Sequence, residues 1–170
     1  MKIIIIGCGK VGLTLAELLS AEKHDVVLID ESSQKLSSIP EELDALRILG
    51  NGASVNIQQE AGVEEADLLI AVTGSDELNL LCCLIAKKAG NCHTIARVRN
   101  PIYNKEIGFI KEKLGISMII NPELTGFKAD VLEKGGGILR GSDDGQEIVV
   151  PQDKITIRDR DQVAALYGAD

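Results

Sequence analysis

The sequence predicts an α/β fold: a doubly wound parallel sheet followed by a short β-rich appendage. Three observations predict it. Apolar runs of strand length alternate with helical periodicities as far as about residue 120, the pattern of right-handed strand–helix–strand crossovers. A glycine-rich turn, Gly7-Cys8-Gly9-Lys10-Val11-Gly12, joins the first apolar run to the first helix, and Asp30 ends the second run eighteen residues after Gly12.

The first strand is four consecutive isoleucines, Ile3 to Ile6, a run suited to burial on both faces. Val11, Leu15, Leu18 and Leu19 then recur at helical spacing. Val26-Val27-Leu28-Ile29 forms the second strand and Leu46-Arg47-Ile48-Leu49 the third, which stops in the turn Gly50-Asn51-Gly52-Ala53-Ser54 before a short helix ending at Gly62. Asp67 to Val72 is the fourth strand, opening into Thr73-Gly74-Ser75. The next helix has Ser75 as its cap, Asp76 and Glu77 matching the dipole of its first turn, Lys87 and Lys88 in its last, and Leu78, Leu81, Cys82, Ile85 and Ala89 on one face. Thr94 to Arg99 is the fifth strand; Tyr103, Ile107, Ile110 and Leu114 mark another amphipathic helix; Met118-Ile119-Ile120 is the sixth strand; Asn121-Pro122-Glu123 starts a last helix.

Six strands opening on a glycine turn suggest a Rossmann-like order of 3-2-1-4-5-6, with a ligand crevice between strands one and four at their C-terminal ends. Gly7 permits the tight turn, Gly9 lets backbone approach a pyrophosphate, and Gly12 lets the helix pack close on the strand. The helix N-terminus then favours an anion. Asp30 stands close to the roughly 20-residue spacing at which an acid meets a ribose diol. It repels a 2′-phosphate, and Glu31-Ser32-Ser33 supplies no arginine to receive one, which favours NAD or NADH over NADP. ATP, ADP and AMP carry the same diol, so Asp30 does not choose among them. Thr73 and Gly74 bring a hydroxyl and backbone groups to the crevice, and Asn51, Gly52 and Ala53 border the adenine. Arg97 and Arg99 alternate onto one sheet face, where they answer a phosphate or pair with surface carboxylates. Lys10 touches a phosphate or points to solvent.

Composition narrows the function. The chain has 170 residues, is 45% hydrophobic, and carries a formal charge of −8 with 2% aromatic residues, a balance that excludes a phosphate-backbone partner and a base-stacking platform. The N-terminal isoleucine run is too short for a secretory or membrane-inserting segment, which places the chain in the cytoplasm. Cys8, Cys82, Cys83 and Cys92 lack metal or disulfide spacing and read as small buried hydrophobes. His24 and His93 fall at the sheet edge opposite the crevice, and fewer than forty residues remain for a second domain. Binding without turnover follows, with a small NAD-dependent oxidoreductase, or a fragment of one, as the alternative.

"MKIIIIGCGKVGLTLAELL", "HDVVLID", "GNGAS", "EEADLLIAVTGSDELNLLCCLIAK", "TIARVRNPIY" and "INPE" together resemble the N-terminal domain of the regulators of potassium conductance, the RCK or KTN family, over about residues 1 to 135. The resemblance implies that NAD(H) or an adenine nucleotide binds at Gly7 to Val11, Asp30, Thr73, Gly74 and Arg97. It also implies a homodimer or larger ring on the inner side of the membrane, beneath a potassium channel or transporter subunit whose flux it gates. Departure begins after Glu133. The expected division is a nucleotide-binding domain over 1–134 and, over 135–170, a truncated remnant of the family's C-terminal domain. Gly135-Gly136-Gly137 reads as a joint, with short strands at Ile148-Val149-Val150, Ile155-Thr156-Ile157 and Val163 to Leu166.

Overall fold

The computed structural model describes residues 1–103 and 105–120, together with the backbone of two short strands at 138–140 and 147–149. In chain order the main elements are β1 (Lys2–Ile6), α1 (Lys10–Ala21), β2 (Asp25–Asp30), α2 (Ser33–Ser37), β3 (Ala45–Leu49), α3 (Val55–Glu60), β4 (Leu68–Ala71), α4 (Asp76–Ala89), β5 (His93–Arg97), α5 (Ile107–Leu114) and β6 (Met118–Ile120). The six strands form one sheet of order β3-β2-β1-β4-β5-β6, parallel at each pairing. This is the predicted topology. Two further strands, β7 (Ile138–Arg140) and β8 (Glu147–Val149), pair antiparallel. β8 overlaps the strand expected at 148–150. The expected helix from Asn121, the glycine joint, the strands at 155–157 and 163–166 and the 134/135 boundary lie outside the described residues.

The isoleucine run explains the sheet's centre. Ile3 to Ile6 are each at most 1% exposed. Ile3 and Ile5 face one layer with Val11, Leu15 and Leu19 of α1 and Leu36 of α2; Ile4 and Ile6 face the other with Ile57 of α3, Cys82, Cys83 and Ala86 of α4, and Ile110 and Leu114 of α5. A strand buried on both faces has no polar period, which is why the run is unbroken. The chain leaves β1 for a helix on one face and β4 for a helix on the other, so a crevice opens between them at their C-terminal ends. His93 opens β5 and His24 precedes β2, both at the opposite edge.

Three local readings need correction. β5 ends at Arg97, because the N–H groups of Arg99 and Asn100 both donate to the Asp76 carboxylate, at 2.9 and 2.7 Å, and are turned away from the sheet. Tyr103 belongs to a 3₁₀ turn over Pro101–Tyr103, and α5 starts only at Ile107. In α4 the inward face is Asn79, Leu80, Cys82, Cys83 and Ala86, while Leu81 is 45% exposed. The hydrogen bonds that Asp76 accepts from the chain after β5, and those that Asn79 makes to Thr73 and Arg97, fix the helix's rotation and turn in a face that apolar periodicity alone does not select.

Deleting core volume at β1 is expected to show in the denaturant midpoint. Ile4→Val should cost about 0.5–1.5 kcal/mol and Ile4→Ala about 2–5 kcal/mol, measured by urea unfolding.

Candidate functional site

The three glycines of the first turn do three different jobs. Gly7 has φ +104°, and a Cβ there would lie 2.9 Å from the backbone nitrogen of Thr73, so only glycine lets the turn close against the loop after β4. A Cβ on Gly12 would drive into the Gly7 carbonyl oxygen. Gly9, at φ −76°, has no atom within 4 Å of where a Cβ would stand. Its outer side is open. Gly9 also caps α1 without a side-chain hydrogen bond, and the first turn holds no acid. The leading N–H groups of that helix have no carbonyl within it, which leaves an electropositive end facing the crevice. Lys10 is exposed at the start of α1.

Asp30 is 8% exposed, yet each oxygen has a fixed donor. Oδ2 accepts from the Cys8 N–H at 2.7 Å, and Oδ1 from the Ser32 N–H at 2.8 Å. The Lys35 ammonium adds a third contact, 3.3 Å from Oδ2. Burial works against ionisation, but these N–H groups and the ammonium outweigh it and hold the carboxyl below its ordinary range. The Cys8 N–H is thus engaged by the protein itself. Asp30 does not cap α2; Ser32 does, accepting the Lys35 N–H at 3.3 Å. Glu31, Ser32 and Ser33 offer no arginine, but Lys35, two residues further on, supplies a cation that the sequence does not place at the strand end. The only local signal is Ser32 as a cap: the five-residue helix it starts carries Lys35 back to the strand end.

The loop after β4 is organised by a residue the sequence reading passed over. Asn79 is fully buried; its Oδ1 accepts from the Thr73 N–H at 2.8 Å and the Thr73 hydroxyl at 2.7 Å, and its Nδ2 donates to the Arg97 carbonyl at 2.8 Å. The Thr73 hydroxyl therefore points inward, where the sequence had placed it against a ligand. Gly74, by contrast, has open space beside it. Ser75 caps α4, accepting the Leu78 N–H at 3.2 Å, as expected. Asp76, read as a dipole partner, is 7% exposed and ties down the chain after β5. Arg97 ends β5, part-buried at the crevice end, while Arg99 lies beyond the strand with Nη2 donating to the Gly74 carbonyl at 3.0 Å. The two arginines do not form one alternating pair.

The turn after β3 lies beside the ends of β1 and β2. Gly50 N–H donates to the Asp30 carbonyl at 3.0 Å. Asn51 is exposed, but its Oδ1 accepts the Ala53 N–H at 2.8 Å and is folded onto its own turn. Gly52 is buried close against Ile6 and Cys82, and its carbonyl accepts from Gln58 Nε2 at 2.7 Å. Gln58, another fully buried residue that sequence did not reveal, also donates to the Cys82 carbonyl at 3.0 Å. All four thiols are buried; burial pushes those of Cys8 and Cys82 up to about 12. Among the described residues no group of three His, Cys, Asp or Glu side chains is placed to hold a metal, and no helix is long and apolar enough to cross a membrane.

The TrkA-N domain model matches residues 3–122. The chain belongs to the TrkA-N family. The family resemblance read from the sequence is borne out by a Trk system potassium uptake protein TrkA homolog from Methanothermobacter thermautotrophicus, 42% identical over 134 residues. That match covers 79% of this chain and 59% of the relative, so the chain spans little more than half the relative's length. Among solved structures, the TrkA-N domain of the inner membrane protein ybaL from Escherichia coli aligns with a TM-score of 0.61 at 27% identity, over 70% of this chain and 85% of that one. The GsuK channel bound to NAD aligns with a TM-score of 0.62 over 79% of this chain and 24% of that one; at 19% identity it shows the shared fold.

The glycine geometry predicts opposite outcomes at neighbouring positions of this TrkA-N domain. Gly12→Ala should lower stability by more than about 2 kcal/mol, whereas Gly9→Ala, which meets no atom and only weakens the cap, should lower it by under about 1 kcal/mol, compared by thermal and urea unfolding. The thiols give a pH prediction. Cys8 and Cys82 titrate from 9.0 when unfolded and near 12 when folded, so the native state holds more protons between those values and stability falls as pH rises from 9 to 12. Alkylation at pH 8 should follow unfolding and not precede it.

Proposed function

We propose that this chain is the nucleotide-sensing part of a regulatory subunit for potassium transport, taking NAD(H) or an adenine nucleotide (ATP, ADP or AMP) in the crevice between β1 and β4. The observation that carries the reading is the pairing of an open helix start at Gly9, with no side chain bonded across it, with a buried, ionised Asp30 alongside it. Gly9 and the first turn of α1 would hold the phosphates through backbone N–H groups and the helix dipole. Asp30 would accept the ribose hydroxyls, and Asn51, Gly52 and Ala53 would border the adenine. Gly74 offers open backbone across the crevice, with Thr73 behind it; Arg97 stands at the crevice end of β5.

Both histidines stand at the far edge of the sheet, which supports binding as a signal over binding for turnover. The kinship with Trk potassium uptake proteins supports potassium transport as the process regulated, and the NAD of the GsuK channel, a domain of the same fold, supports the ligand class. In this reading the chain works on the cytoplasmic side, as a homodimer or larger ring against a membrane-embedded potassium channel or transporter subunit, and it converts nucleotide occupancy into a change of assembly.

Calorimetric titration of NAD, NADH, ATP and ADP, run beside light scattering, tests this directly. Gly9→Val adds bulk where the structure is open, so the chain should stay folded, losing no more than about 1 kcal/mol with the poorer cap, and nucleotide binding should weaken by about tenfold or more. Asp30→Ala should weaken it comparably. Unaltered affinity in a folded Gly9→Val chain would remove the phosphate assignment.

A further inference from the structure

Lys35 touches no ligand in the reading above, yet it is the cation placed against the ribose acid. Its ammonium lies 3.3 Å from Asp30 Oδ2, and its side chain is 52% exposed where that of Asp30 is 7% exposed. The two ends of this pair are held very differently. Asp30 accepts a backbone N–H on each oxygen, from Cys8 and Ser32, independently of the ammonium contact. Lys35 is a half-exposed side chain on the first turn of α2, and a half-exposed ion pair of this kind is weak and readily exchanged. The carboxylate is a fixed part of the site, and the ammonium is a movable one.

Resting on the nucleotide reading, we infer that Lys35 is a specificity-determining residue: it receives a 2′-phosphate on the adenine ribose, so the site takes NADP(H)-type ligands as well as the plain diol. A lone buried carboxylate repels a 2′-phosphate, since like charges at contact distance disfavour one another by several times the thermal energy. Here a cation of equal charge stands 3.3 Å from that carboxylate. When a diol occupies the pocket, Asp30 accepts its hydroxyls and Lys35 moves out toward solvent. With a 2′-phosphate in the pocket, Lys35 pairs with the phosphate, and Asp30 stays satisfied by its two N–H donors. Glu31, the next acid along the chain, is exposed and its field is screened by solvent.

The test uses the whole chain and four probes in two matched pairs: NADH with NADPH, and 5′-AMP with adenosine 2′,5′-bisphosphate. In the unaltered chain each 2′-phosphorylated member should bind within about tenfold of its partner. Lys35→Gln should weaken the phosphorylated member of each pair by a further factor of about ten or more while changing NADH and 5′-AMP less than about threefold, and Lys35→Arg should restore the original ratio. A structural role would lower all four affinities together and leave the ratio alone. An unchanged ratio in Lys35→Gln overturns the inference while the nucleotide site stands. Failure of all four probes to bind the unaltered chain overturns the site reading itself, and this inference with it.

Discussion

The hydrogen bond from the Cys8 N–H to the Asp30 carboxylate, 2.7 Å long and buried, is the contact on which the crevice depends. It joins the turn after β1 to the end of β2. A buried carboxylate is tolerated only when its oxygens are satisfied, and leaving one unpaired costs several kcal/mol, on the order of the stability of a small domain. The parallel pairing of Ile6 with Ile29 brings these two strand ends level, and the Gly7 N–H continues the ladder to the Ile29 carbonyl at 2.9 Å. Sheet register therefore sets the position of the charge, and the charge in turn fixes the glycine turn.

A second set of ties holds the other wall. Asn79 links the backbone of Thr73 to that of Arg97, and Asp76 holds the backbone of Arg99 and Asn100. The ends of β4 and β5 are thus bound through one helix, α4, whose inward face is partly polar. Tyr103 adds an outer contact, its hydroxyl donating to Glu77 Oε1 at 2.7 Å. Gln58 performs the same service for the turn after β3, connecting Gly52 to α4 through two carbonyls. Each wall of the crevice is a loop whose main chain is tied to a buried amide or carboxylate, with apolar layers behind it.

The strands and their order were legible because each rests on a local pattern: apolar runs, a glycine turn between strand and helix, and an acid ending the second run. The roles of the buried polar residues were not legible. Asn79 and Gln58 sit in helices where an amide ordinarily marks the solvent face, and Asp76 reads as a dipole partner until the chain after β5 is brought against it. Their burial is a property of contacts between elements distant in sequence. The Thr73 hydroxyl was misplaced for the same reason, since its acceptor lies six residues on in the following helix. Lys35 was missed because α2 is only five residues long and buries only Leu36, too little periodicity to announce a helix.

The floor of the crevice is built from main chain: Gly7 against the Thr73 backbone, Gly9 and Gly74 open on their outer sides. A surface of peptide groups has no side chains to exchange, so point substitutions there can only add bulk. Chemical variety falls to the rim, where replaceable groups such as Lys35 and Arg99 stand.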